Sequence, residues 1–180
     1  MKNYSVFLSN ENPRVEIEMM DGGKMELELF PKCAPITVNN FLSLIDKNFY
    51  DSLIFHRVIE NFMIQTGDPT GSGSFGSDET IKGEFAINGV NNDISHVRGV
   101  LSMARKGPSA GEEETSETMD SASSQFFICH KAAGFLDGSY AAFGVLVNGL
   151  DVLDKIATTK TDASDRPLED MRIKTIKRIR

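Results

Sequence analysis

A fixed cation stands inside an apolar run, Phe55-His56-Arg57-Val58-Ile59. Packing a guanidinium among Phe, Val and Ile is costly unless it has a partner or a task. Taken alone, such an Arg is most simply a packed stem whose head reaches water. Three other segments change that reading. Phe62-Met63-Ile64-Gln65 offers a soft apolar pair and an amide on the next strand. Ser124-Gln125-Phe126-Phe127 puts Gln125 and Phe127 on one face and turns Phe126 toward the core, because strand side chains alternate. Phe135-Leu136-Asp137-Gly138 adds an aromatic and a Leu just before a turn. Together these residues can line an apolar pocket bordered by Arg57, Gln65 and Gln125. Such a pocket suits a neutral, apolar ring presented on a peptide backbone.

Two other motifs point elsewhere. Gly71-Ser72-Gly73-Ser74-Phe75-Gly76 fits the glycine pattern of dinucleotide sites. That chemistry needs a helix opening on the glycines to hold the pyrophosphate, and the segment after Gly76 has no helical apolar period. Gly107-Pro108-Ser109-Ala110-Gly111 fits the nucleophile elbow of hydrolases, with His130 and several acids downstream. An elbow needs a strand-to-helix turn, whereas Gly111 leads into an acidic polar tract. His56, His96 and His130 are scattered and share no metal-ligand spacing with each other or with a Cys. No metal and no cofactor is expected.

The elements that must position these residues are read from periodicity. Val15, Ile17 and Met19 alternate with Glu16 and Glu18, and after Asp21-Gly22-Gly23 the alternation resumes as Met25, Leu27 and Leu29. This predicts an amphipathic hairpin. Val38, Phe41, Leu42 and Ile45 then share one helical face, with Pro35 near the first turn. Residues 53–65 read as two short strands broken at Glu60-Asn61, and 66–77 as a Gly/Ser-rich loop. Short strands are expected at 99–104, 125–129, 140–147 and around Met171, Ile173 and Ile176. Leu150, Leu153 and Ile156 suggest a second short helix. Many short strands and two helices argue for a mainly β barrel or sandwich with helical caps.

At 180 residues the chain suits a single domain, 1–180, with its core over about 15–176. The formal charge is −7 and no Lys/Arg run occurs, which disfavours nucleic acid and anionic membrane surfaces as partners. No apolar run is long enough to span a bilayer. The start of the chain does not read as a secretory signal. Cys33 and Cys129 are too few for a disulfide framework and fit small buried side chains in a reducing compartment, so a cytoplasmic location is expected. Residues 107–124 carry Glu112, Glu113, Glu114, Glu117 and Asp120 and read as a mobile acidic loop insertion near the pocket. Its charge would favour basic peptides.

The motifs around the pocket resemble the cyclophilin signature: Phe55-His56-Arg57, Phe62-Met63-x-Gln65-x-Gly67-Asp68, Gly99-x-Leu101-Ser102-Met103-Ala104, Ser124-Gln125-Phe126-Phe127-Ile128 and Phe135-Leu136-Asp137-Gly138. All five occur in the family's order, and the chain looks like a single-domain, bacterial-like member. The resemblance implies a closed eight-stranded antiparallel β-barrel capped by two α-helices. It also implies peptidyl-prolyl cis–trans isomerase activity on proline-containing polypeptides, assisting protein folding. The family's catalytic Arg falls on Arg57 and its proline pocket on Phe62, Met63, Phe127 and Leu136. Its peptide-backbone contacts fall on Gln65, Ala104 and Gln125, and His56 matches the His beside the Arg. Three further substrate-site positions depart from the family. Phe135 stands where Trp is frequent, Arg105 where Asn is frequent, and Tyr140 where His is frequent. Loss of the indole N–H at Phe135 implies weak binding of the macrocycle cyclosporin.

The implied chemistry is spare. Rotation about a peptide bond is opposed by about 18–20 kcal/mol, and X–Pro bonds exchange in roughly tens to hundreds of seconds. In the twisted state the imide nitrogen is pyramidal and its lone pair accepts a hydrogen bond. An Arg, always charged and only a donor, stabilises that lone pair without titrating. The alternative is a proline-peptide-binding chaperone module with little turnover, which would keep the pocket without needing the Arg.

Overall fold

The computed structural model describes residues 1–180. Eight strands form one antiparallel sheet: β1 (Arg14–Met19), β2 (Lys24–Leu29), β3 (Arg57–Ile59), β4 (Met63–Thr66), β5 (Val100–Met103), β6 (Phe126–Cys129), β7 (Ala142–Asn148) and β8 (Ile173–Arg178). Their order is β3-β4-β6-β5-β7-β2-β1-β8. The sheet curls until its two ends meet. There the closure is made by main-chain bonds rather than by a regular ladder: Ser52 and Phe55 donate to the Ile173 and Met171 carbonyls (3.0 and 2.9 Å), and Ile173 donates to Leu53 (2.8 Å).

The hairpin β1–β2 follows its alternation. Val15, Ile17, Met25 and Leu27 are fully buried, with Val15 opposite Leu27 and Ile17 opposite Met25. Helix α1 (Pro35–Asp46) begins on Pro35 as the spacing predicts. The buried Glu84 carboxylate closes its N-terminus, accepting from the Ile36 and Thr37 amides (3.1 and 2.8 Å) and the Thr37 hydroxyl. Phe41 carries the helix into the barrel, where it packs edge-on against Phe126 and Phe143 at 5.1 and 5.2 Å. Helix α3 (Leu150–Ala157) buries Leu153 and Ile156. These are the two expected helices. A third helix, α2 (Ser116–Met119), is a single turn inside the acidic insertion, where sequence predicts only loop. Thr115 caps it by accepting from the Thr118 amide, and Thr118 reaches back to the Thr115 amide.

Two faces of the same strands do different work. On β4 and β6, Ile64, Phe126 and Ile128 point into the main core. Met63, Phe127 and Cys129 point the other way and form a small separate cluster with Ala133 and Leu136. The site is built on that second face.

Candidate active site

Strand register assembles the site. Arg57 pairs with Gln65, Gln65 with Phe127, and Phe127 with Ser102, so one transverse row crosses β3, β4, β6 and β5. Register fixes which face each residue meets, and a slip of one residue would turn Arg57 into the core. The turn after β4 must pass close to β6. At Gly67, where φ is +99°, a Cβ would lie 2.4 Å from the Ser124 carbonyl oxygen, so only glycine fits.

A cavity of about 130 Å³ opens on this face. Its apolar wall is Phe62, Met63, Phe127, Leu136, Ala104 and Tyr140, with Arg57, Gln65 and Arg105 at the edge. Nine of the twelve sequence-predicted site residues thus meet in one place. Met63, Phe127 and Leu136 are buried, while the Arg57 side chain stands at the solvent edge. Phe135 is 75% exposed on the rim, its ring 5.4 Å from that of Phe62.

The polar residues form a relay. Arg57 Nη1 donates to Gln65 Oε1 (3.3 Å), and Gln65 Nε2 donates to Gln125 Oε1 (2.9 Å). Gln125 Nε2 donates to the Gly73 and Phe75 carbonyls at 3.1 and 2.7 Å. The 71–76 glycine loop is therefore the anchor of this relay, and no helix opens on it. Asp68 shapes the loop by accepting from the Thr70, Gly73 and Phe75 amides and the Thr70 and Ser72 hydroxyls. Burial opposes the charge on Asp68, yet these bonds hold its carboxyl below the usual aspartate range.

Three expected contacts have other surroundings. The Gln125 side chain bonds to the loop and to Gln65, and it lines a neighbouring groove rather than the cavity. The Ala104 amide is taken by the Gln125 carbonyl (3.0 Å), so its carbonyl is the group left for a peptide. His56 does not line the cavity. Strand alternation turns it opposite to Arg57, beneath Gly73, where a Cβ would lie 3.4 Å from its ring. Burial lowers its pKa, with the Asp68 charge opposing.

Sequence reading missed the support under Phe127. His96 stacks beside that ring, 6.2 Å between centroids. Its Nδ1 lies 2.9 Å from Asp137 Oδ1 and its Nε2 2.9 Å from Ser102 Oγ. The three residues come from β5 and two loops, with no local signal to link them. Ser102 is fully buried, so this Ser–His–Asp file braces the pocket and offers no nucleophile. Ser109, the candidate elbow serine, meets none of the histidines: His130 bonds to Asn61 and Asp154 instead.

A groove of about 610 Å³ adjoins the cavity and shares Gln65, Ala104 and Arg105 with it. Phe75, Asp78, Lys106 and Glu117 line its far side.

The chain belongs to the cyclophilin type peptidyl-prolyl cis-trans isomerase/CLD family, whose model matches residues 14–178. Peptidyl-prolyl cis-trans isomerase ppi1 of Schizosaccharomyces pombe is 41% identical over 152 residues, covering 84% of this chain and 90% of that protein. Peptidyl-prolyl cis-trans isomerase-like 1 of Emericella nidulans is 38% identical over 152 residues, covering 84% and 86%. A cyclophilin type isomerase of Cryptosporidium parvum superposes with a TM-score of 0.79 at 32% identity, over 92% of this chain and 96% of that one. Another structure of it, in the presence of the dipeptide Ala-Pro, gives 0.77 at 32% identity, over 91% and 96%. The activity of the chain is accordingly peptidyl-prolyl cis–trans isomerisation. These two curated relatives are fungal, and the bacterial-like kinship expected from the motifs finds no support in them.

Proposed function

We propose that Arg57 is the catalytic residue and that Phe62, Met63, Phe127 and Leu136 hold the proline ring of a polypeptide substrate. The observation that carries this reading is the seating of the Arg57 guanidinium at the edge of the apolar cavity, held by Gln65. The cavity fixes the ring, and the Gln65 amide and Ala104 carbonyl bind the flanking backbone. As the bond twists, the imide nitrogen becomes pyramidal and accepts from Arg57. That contact exists only in the twisted state, so it lowers the barrier rather than merely tightening binding. No proton moves and no bond to the protein forms.

Phe135, exposed on the rim and without an N–H, supports weak cyclosporin binding. Glu117 on the groove supports a preference for basic residues flanking the proline. The net charge of −7 supports polypeptide rather than nucleic acid or membrane lipid as partner. Two free, buried cysteines support a reducing compartment such as the cytoplasm; burial pushes the Cys33 and Cys129 thiols up to about 11 and about 12.

The test is a coupled prolyl-peptide isomerisation assay without added metal or nucleotide. Saturable acceleration is expected. Peptide binding without acceleration would put the chaperone-clamp reading in front.

A further inference from the structure

Arg105 stands where the cavity and the polar groove meet, and it lines both. Its side chain is only 3% exposed. Four of its five N–H groups are already taken. Nε donates to the Ser139 carbonyl (3.0 Å), and Nη1 to the Lys106 carbonyl (2.9 Å) and Glu114 Oε2 (3.0 Å). Nη2 donates to Glu114 Oε1 (2.6 Å). The guanidinium lies between two aromatic faces, 4.9 Å from the centre of Phe85 and 4.8 Å from that of Tyr140. A cation so paired and so covered has little left to offer a peptide.

What it holds matters more. Tyr140 is a wall of the cavity and meets Phe127 edge-on, 6.1 Å between ring centres. Arg105 grips Tyr140 twice, on its ring face and at the carbonyl of the preceding residue. Glu114 in turn belongs to the acidic insertion, where the Thr118 hydroxyl of α2 donates to it (2.8 Å). The bidentate pair is the strong form of an Arg–carboxylate contact, and a planar fork stacked on rings is a geometry Lys cannot copy.

We infer that Arg105 is a positioning residue that fixes Tyr140 against Phe127, and that the 107–124 insertion, acting through Glu114, sets the affinity of the proline pocket. This rests on the reading of that cavity as the substrate site. The insertion is thereby a strap tied to the pocket wall, where sequence predicts a mobile loop.

Glu114→Gln, Arg105→Gln and the double variant test it, with proline-peptide affinity by NMR titration, kcat by the coupled assay and the Tyr140 and Phe127 ring resonances of the free protein. Glu114→Gln is expected to weaken peptide affinity about threefold to tenfold while kcat changes less than twofold, with both ring resonances displaced. The double variant should be no worse than Arg105→Gln, because the two residues act in series. Folded Glu114→Gln with affinity within twofold of wild type and unmoved ring resonances overturns the inference, as does full additivity in the double variant. If Arg105→Gln does not fold, Glu114→Gln alone decides by the same two readouts. Wild-type binding without turnover would overturn the isomerase reading and leave this one standing. Wild-type failure to bind peptide would overturn the substrate-site reading, and the resonances would still show whether the strap holds Tyr140.

Discussion

Arg57 donates from Nη1 to Oε1 of Gln65, 3.3 Å away, and the two residues are register partners on β3 and β4. The guanidinium is exposed and on a flexible stem, so this contact is what gives it a preferred pose. Gln65 is itself held by Gln125, and Gln125 by the 71–76 loop. The relay ties the guanidinium to the glycine loop through two side-chain amides.

Gln65→Ala cuts the relay at its first link. Catalytic efficiency should fall about tenfold to a hundredfold, since a misplacement of about 1 Å at a reacting group costs up to about 10² in rate. The coupled assay measures this. An unchanged rate would show that Arg57 needs no partner.

Phe135 sits on the rim with its ring against Phe62, and it has no polar atom to offer. Cyclosporin should bind weakly, and Phe135→Trp should improve binding by adding an indole N–H donor. Calorimetric titration of both proteins checks this. Equal affinities would contradict it.

Acid should weaken the fold through its buried histidines. Burial lowers the pKa of His96, against the pull of Asp137, and lowers that of His56 as well. Both rings are therefore neutral in the folded chain at a pH where the unfolded chain, titrating near 6.5, already takes up protons. Where the unfolded state binds more protons, stability rises with pH. Stability should thus fall as pH drops below about 6.5, before the carboxylates titrate. Urea unfolding at pH 7.5, 6.5 and 5.5 reads the trend, and a midpoint that stays level or rises toward acid would refute it. In His96→Gln the slope should be shallower.

The hairpin and α1 were legible because a clean period of two or 3.6 leaves few alternatives, and Pro35 marks the helix start. The pocket was legible because its residues lie in short motifs whose alternation already sorts Phe127 from Phe126. What stayed hidden depends on residues far apart in sequence. His96, Ser102 and Asp137 meet only once the barrel closes. The bonds from Gln125 to the glycine loop require that loop to pass over it. Arg105 shows no partner locally, because Glu114 stands just ahead of a turn of helix in an acidic tract with no apolar period, and only the folding of that tract brings it back. That turn is capped by Thr115 and Thr118 rather than by the usual Glu or Gln at its third position, which conceals it.

The most direct measurement is the pair of constants for Arg57→Ala: isomerisation rate by the coupled assay, and affinity for the same peptide by NMR titration. Losing one preorganised donor should lower catalytic efficiency by about 10²–10³, or about 2.7–4 kcal/mol, while affinity changes little. Arg57→Lys should recover little, because an ammonium lacks the planar fork. Phe127→Ala should weaken affinity and rate together, since the pocket serves both ground and twisted states. A folded Arg57→Ala protein with near-normal turnover would contradict the account.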